Sequence, residues 1–344
     1  MKIYNLIICI LIILFKTGNV LSDNNIFDVN NIEISKENYK KNENLTNLAF
    51  KKAYKDLTSR LLLEKDYKKF STLDLKTIKT LISYYQIKES KKKNIFKVNV
   101  FFDKKKMHDF FFTRNILYSD VKNTEILFFP LLIDGGQFYI YSKNFFYDNW
   151  NENSESTLIQ YILPIENIEN IESIKLMRED IYRLEISNFF KEYNNENMSF
   201  AIIEIEKNVA KIFLINKISN KKINKTLYIK QDVLNKKDFI NKITFEIKKT
   251  IKDLVKSQNL IDVRTPSFLN VEIRLNKRKN NLIELKNRIS NIDLIETFYI
   301  QQLTKDYALV KIKYLGNITK IISKLNKQKI DLKMTNGQWK LNII

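Results

Sequence analysis

Along this chain, apolar residues fall into segments with two different periods. Across "TNLAFKKAYKDLTSRLLL" Leu48, Ala49, Ala53, Leu57 and Leu61 recur at steps of three and four. That is the stripe of an amphipathic helix, which Thr46 or Asn47 can cap. Leu73, Leu75, Ile78, Leu81, Ile82 and Tyr85 continue the helical period. "NIFKVNVFFD" then alternates, with Phe96, Val98, Val100 and Phe102 on one face of a strand. A short helix follows, packing Met107, Phe110, Phe111 and Ile116. Upstream, "IFDVNNIEI" reads as a small hairpin or edge strand about Asn30-Asn31. Residues 23–118 therefore form one α/β unit.

The pattern changes at "ILFFPLLI", eight apolar residues in a row. This suits a central strand buried on both faces. Pro130 conflicts with that reading, because proline cannot donate to a ladder and prefers an edge or bulge. "DGG" is a turn signal and "QFYIYS" its partner strand. "LIQYILPI" reads as a further strand and "REDIYRLEISNFFKEYN" as a helix. "FAIIEIE", "AKIFLINKI" and "KTLYIKQ" are three strands. Phe239, Ile243, Ile247, Ile251 and Leu254 then mark a long amphipathic helix. This middle α/β domain spans residues 119–260 and has a mixed sheet. Residues 261–344 read as β-α-β-β-α-β-β, with a closing turn at Asn336-Gly337. That order suggests a ferredoxin-like unit with helices on one face. The expected fold class is α+β, a leader followed by three small α/β units.

Residues 1–22 are the expected leader. Lys2 precedes an apolar run from Ile3 to Phe15, and Val20 and Ser22 occupy the small-residue positions before Asp23. This is the pattern of a secretory signal peptide cleaved between Ser22 and Asp23. The run is short of the roughly 20 apolar residues of a membrane span, although an uncleaved anchor is the alternative. The single cysteine, Cys9, lies in the leader. The mature chain would have no disulfide, thiolate nucleophile or cysteine metal site.

The formal charge is +20, or +18 once Lys2 and Lys16 leave with the leader. The excess is mostly lysine, spread in short groups such as Lys91-Lys92-Lys93 and Lys104-Lys105-Lys106, in a chain rich in Lys, Asn and Ile. Compositional bias and solvated faces explain such usage. A membrane surface is a second partner for clustered lysines, and no nucleic acid is expected.

Other chemistry is sparse. His108 is the only histidine, so a multi-histidine zinc site is excluded. Of five glycines, Gly18 is in the leader, and none of the rest forms a phosphate-binding loop. Glu152 with Glu155, or Glu179 with Asp180, could supply the two carboxylates of a glycoside hydrolase. Acidic residues are too common here for pairing alone to point to an active site. The aromatics of "FYIYSKNFFYDNW" fill the core, with Tyr147 and Trp150 expected to be partly exposed as candidate binding residues. No metal, cofactor or catalytic residue is expected.

Several stretches together resemble a family of exported bacterial proteins defined only as domain of unknown function 2066. They are the leader, "IFDVNNIEI", "NLAFKKAYKDLTSRLL", "FKVNVFFDKKKMHDFF", "ILFFPLLIDGGQFYIYSKNFFYDNWNE" and the C-terminal "YALVKIKYLGNITKIISKLNKQKIDL" with "GQWKL". Pro130, Gly135-Gly136 and Trp150 match the family outline of strand, glycine turn and tryptophan-bearing short helix. A tryptophan expected before that helix is replaced by the residues around Tyr147. The middle unit is also similar, in topology, to α/β domains of envelope proteins such as the amino-terminal domain of the Tol-Pal propeller protein. These resemblances imply an exported, periplasmic protein that binds or assembles with an unknown envelope protein or polymer. A hydrolase of envelope polymer and an electrostatic binder of an anionic envelope surface are the alternatives. The oligomeric state is left open.

Overall fold

The computed structural model describes residues 25–35, 45–89, 95–152, 158–231, 235–275 and 282–344. The expected leader, with Ser22 and Asp23, lies outside them, as does Glu155. In chain order the first elements are β1 (Asp28–Ser35), α1 (Leu45–Leu61), α2 (Glu64–Phe70), α3 (Leu75–Leu81), β2 (Ile82–Glu89), β3 (Ile95–Phe102) and α4 (Lys104–Thr113). Next come β4 (Tyr118–Ser119), β5 (Thr124–Asp134), β6 (Gln137–Tyr139), α5 (Phe145–Asp148), β7 (Ile159–Ile162), α6 (Ile168–Leu176) and α7 (Ile186–Phe189). They are followed by β8 (Met198–Glu206), β9 (Val209–Ile218), β10 (Lys221–Lys230), α8 (Lys236–Ser257) and β11 (Leu260–Ile261). The last are β12 (Ser267–Arg274), α9 (Leu282–Ser290), β13 (Ile295–Leu303), β14 (Tyr307–Tyr314), α10 (Ile318–Lys327), β15 (Ile330–Thr335) and β16 (Gln338–Ile343). The fold class is α+β, with mixed sheets.

Contacts divide the chain into two compact units. Among the described residues, one gathers 25–35, 45–53, 75–89, 95–112, 262–275 and 282–344, and the other 54–74, 113–152, 158–231 and 235–261. The expected N-terminal and C-terminal segments thus contribute mainly to one unit, and the middle segment builds the other.

The first unit holds two sheets. The smaller has the antiparallel order β1-β3-β2. Of the two expected forms, the edge strand is the one present: β1 lies at the sheet's edge and runs through Asn30-Asn31 with a register shift between Val29 and Ile32. Asn31 adopts a positive φ of 59°, and its amide is held by Asn99 Oδ1 at 2.8 Å. The helical period read through Tyr85 stops at Leu81, because Ile82–Glu89 pairs with β3 as a strand. Its β-branched and aromatic residues fit a pleated surface, and tertiary pairing overrides the local period. The larger sheet has the order β13-β14-β12-β16-β15. The β-α-β-β-α-β-β order is present, but the closing strand β16 lies parallel to β12, pairing Val271 with Trp339. Asn336 and Gly337, at φ of 53° and 76°, fold β16 back along β15 and insert it between β15 and β12.

The second unit is built on a six-stranded sheet of order β10-β9-β8-β5-β6, with β7 also pairing β5. β5 is parallel to β8 and β7 and antiparallel to β6. As its unbroken apolar run predicts, both of its faces are buried. Ile126 and Phe128 enter a core with Ile243, Ile247 and Ile251 of α8. Leu127, Phe129 and Leu131 enter a second core with Ile174 of α6 and Ile186 and Phe189 of α7. The helix expected over residues 178–194 is reduced to α7 and a single turn at Ile181–Arg183. Its apolar residues are buried all the same, Ile181 and Phe190 almost completely.

Pro130 sits in this central strand because the ladder on one side is interrupted there. β7 pairs residues 124–127 and β6 pairs residues 132–134. In the gap the Pro130 carbonyl accepts from Asn144 Nδ2 at 2.6 Å. The amide and carbonyl of one strand residue point the same way, so the missing N–H falls in the gap and no ladder bond is lost. Asn144 is fully buried, and its Oδ1 also accepts from Phe146 N at 3.0 Å, capping α5.

Candidate binding surface

The two residues singled out by sequence for binding serve the second unit's interior. Trp150 is 1% exposed. It stacks on Phe128 with ring centroids 4.0 Å apart and meets Tyr161 edge-on at 5.6 Å. Lys248 of α8 lies 5.1 Å from the indole centroid and donates to the Trp150 carbonyl at 2.6 Å. Burial pushes the Lys248 ammonium pKa down. Trp150 is therefore not partly exposed as expected: α5 turns it inward beneath α8. Tyr147 is half-buried, and its hydroxyl donates to the Pro164 carbonyl at 2.6 Å. Its ring packs against Tyr141 and Phe129.

The titratable groups form paired, mostly structural sets. Buried His108 contacts Glu296 Oε1 through Nδ1 at 2.9 Å and meets Phe27 edge-on. The hydrogen bond to His108 holds the Glu296 carboxyl below its usual range. In the second unit Lys256 is 2% exposed. It donates to the carbonyls of Ser59, at 2.6 Å, and Leu62. These are carbonyls at the end of α1 that lack partners within the helix. Desolvation, helped by the neighbouring charge of Lys252, lowers the Lys256 pKa to about 7. Nearby Asp253 accepts from the Glu64 amide, and desolvation raises its pKa. Lys249 joins Glu64 and Glu246. Each carboxylate here faces a lysine or an amide, which suits helix-end packing. The other carboxylate pair, Glu179 and Asp180, lies on an exposed turn where Asp180 meets Arg183 at 3.4 Å. Among the described residues no three His, Cys, Asp or Glu side chains gather as a metal site would require.

A more open arrangement lies on the five-stranded sheet of the first unit. β12 and β14 alternate strictly: Leu269, Val271 and Ile273, with Ala308, Val310 and Ile312, are buried on one face. Helices α9 and α10 bury Leu285, Ile289, Ile321 and Leu325. The intervening residues point the other way and stay accessible. Cross-strand pairing there forms two adjacent rows. In the first, Thr297, Lys313 and Phe268 lie side by side across β13, β14 and β12. In the second are Tyr299, Lys311 and Asn270. Phe268 is 52% exposed and Tyr299 42% exposed. The Lys311 ammonium lies 4.6 Å from the Phe268 ring centroid, a cation–π contact. The patch carries two lysines and two aromatic rings, and Lys313 lies close enough to the Glu296 carboxylate to help hold its pKa down. Glu272, in the next row, meets Arg274 at 3.8 Å. Such a face can attract an anion and offer flat apolar surface to what carries it. The sequence contained its signal, in Phe268, Lys311 and Lys313 at the polar positions of alternating strands, but not the pairing that joins them.

Among the described residues, no helix is long and apolar enough to cross a membrane. No protein-family model, curated protein or solved structure matches the chain. The family resemblance noted above therefore rests on its quoted residues.

Proposed function

We propose that this protein is an exported, non-catalytic binding or assembly factor of the periplasm, and that it holds an anionic envelope partner on the open face of its C-terminal sheet. The observation that carries this reading is the patch of two rings and two lysines, Phe268, Tyr299, Lys311 and Lys313, on a face opposite the sheet's core. The leader pattern supports export, and the +18 of the mature chain supports an anionic partner. The paired environments of the titratable groups favour binding over hydrolysis of an envelope polymer.

Two experiments test the reading. Residues 1–30 fused to a reporter active only outside the cytoplasm should give activity, and a silent reporter would remove export. The purified mature protein should bind vesicles containing anionic lipid or an anionic envelope polysaccharide. That binding should weaken steeply between low and physiological salt, as the Debye length falls from about 30 Å at 0.01 M to about 8 Å at 0.15 M. Binding insensitive to salt would count against an anionic partner.

A further inference from the structure

A second surface, in the other compact unit, points to a different kind of partner. β10 is the terminal strand of the six-stranded sheet. It pairs with β9 over all ten of its residues, Lys221 with Ile218 through Lys230 with Val209. No described strand covers its other side. The direction of its backbone groups follows from two bonds. The Gln231 amide donates to Asn208 O at 2.7 Å, on the β9 side. The Lys230 carbonyl accepts from Lys242 Nζ at 3.2 Å, on the open side. Backbone groups alternate along an antiparallel ladder. Lys222, Asn224, Thr226, Tyr228 and Lys230 therefore present their amides and carbonyls outward. Along Leu227–Lys230 the edge borders a cleft of about 220 Å³ whose far wall is Lys242 and Glu246 of α8.

A ten-residue open edge is long, and exposed edges invite strand pairing. The side chains restrict what can pair. β10 carries Lys221, Lys222, Lys225 and Lys230 and no acid; Lys222 is paired with Glu185 at 2.6 Å, and Lys242 stands over the strand's end. A second copy of this strand would set lysines against lysines, and like charges directly across a ladder are destabilising. An incoming strand bearing carboxylates would find Lys221, Lys225, Lys230 and Lys242 instead, while the Glu246 carboxylate in the cleft wall is met by Lys249 at 3.2 Å. We propose that the outer edge of β10 receives an extended, acid-rich polypeptide segment as an additional strand, by main-chain hydrogen bonding. This is independent of the open face of the C-terminal sheet, since neither surface shares a residue with the other.

The test uses the full mature chain and two capped decapeptides, one alternating Glu and Val and the other alternating Lys and Val. The Glu–Val peptide is expected to bind and to slow hydrogen exchange at the amides of Asn224, Thr226 and Tyr228, while the Lys–Val peptide does neither. Thr226→Pro removes one outward amide and leaves the β9 ladder intact. It should weaken Glu–Val binding about tenfold, the order expected for one main-chain bond. Should that variant fold poorly, Lys225→Glu with Lys230→Glu reads the same interface through charge and should abolish preference for the acidic peptide. Equal binding of both peptides, unchanged exchange at those amides, or self-association through this edge would each overturn the proposal.

Discussion

The two large sheets place the same pair of groups, an aromatic ring and a lysine, in opposite settings. Over the six-stranded sheet Trp150 lies under α8, whose Lys248 covers it, with the ring 1% exposed and the ammonium bound to the Trp150 carbonyl. In the five-stranded sheet Phe268 and Lys311 lie on a face with no core above them, and the ring is 52% exposed. The difference arises from coverage. The first sheet has an apolar core on each face, whereas alternate residues of β12 and β14 bury only one face of the second. A covered ring contributes to stability through packing, and an uncovered ring is available to a partner.

Substitutions should separate these settings, beginning with the largest effect. Trp150→Ala removes a ring stacked on Phe128 and should cost about 3–5 kcal/mol, as large-to-small core changes do, seen as a lower midpoint in urea. Trp150→Phe should cost much less, because it keeps a stacking ring and removes an indole N–H that has no acceptor among the described residues.

The buried lysine that closes α1 gives the next effect. The folded pKa of Lys256 is about 7, below an unfolded value of roughly 10.4. Between those values the unfolded chain binds more protons, so stability rises with pH at up to about 1.4 kcal/mol per unit from this group. Below pH 7 both states are charged and the penalty is fully present. Denaturant titrations from pH 7 to 9 should show a gain of about 2 kcal/mol, and Lys256→Met should flatten the slope.

Asn144→Ala follows. It removes the donor to the Pro130 carbonyl and the cap of α5, and should cost about 1–3 kcal/mol in thermal or urea unfolding. Lys311→Glu with Lys313→Glu sits at the other end. The double change removes the Lys311–Phe268 ring contact and the attraction of Lys313 to Glu296, so stability should fall by about 1 kcal/mol, well short of the loss at Trp150.

The comparison also marks what the sequence could reveal. The unbroken run Ile126–Ile133 identified a strand buried on both faces, and the repeat Phe239–Leu254 identified α8, because each pattern is local and uniform. Ile82–Glu89 misled because its apolar spacing fits a helix until β3 supplies a ladder. Pro130 looked misplaced because the gap between β7 and β6, and the side chain of Asn144, come from elsewhere in the chain. The exposure of Trp150 depends on α8, about a hundred residues further along the chain. The open face was half legible. Alternation put Phe268, Lys311 and Lys313 at polar positions, but the rows that gather them with Tyr299 depend on strand order.

The central claim is that the open face binds and the covered face stabilises. It is tested most directly by measuring, on one preparation, the affinity of the Lys311→Glu, Lys313→Glu double variant for anionic vesicles and its urea midpoint. The account predicts a loss of about tenfold or more in affinity, since each lysine near an anionic surface contributes about 1 kcal/mol, with a midpoint lowered far less than by Trp150→Ala. Unchanged affinity in a normally folded variant would contradict it.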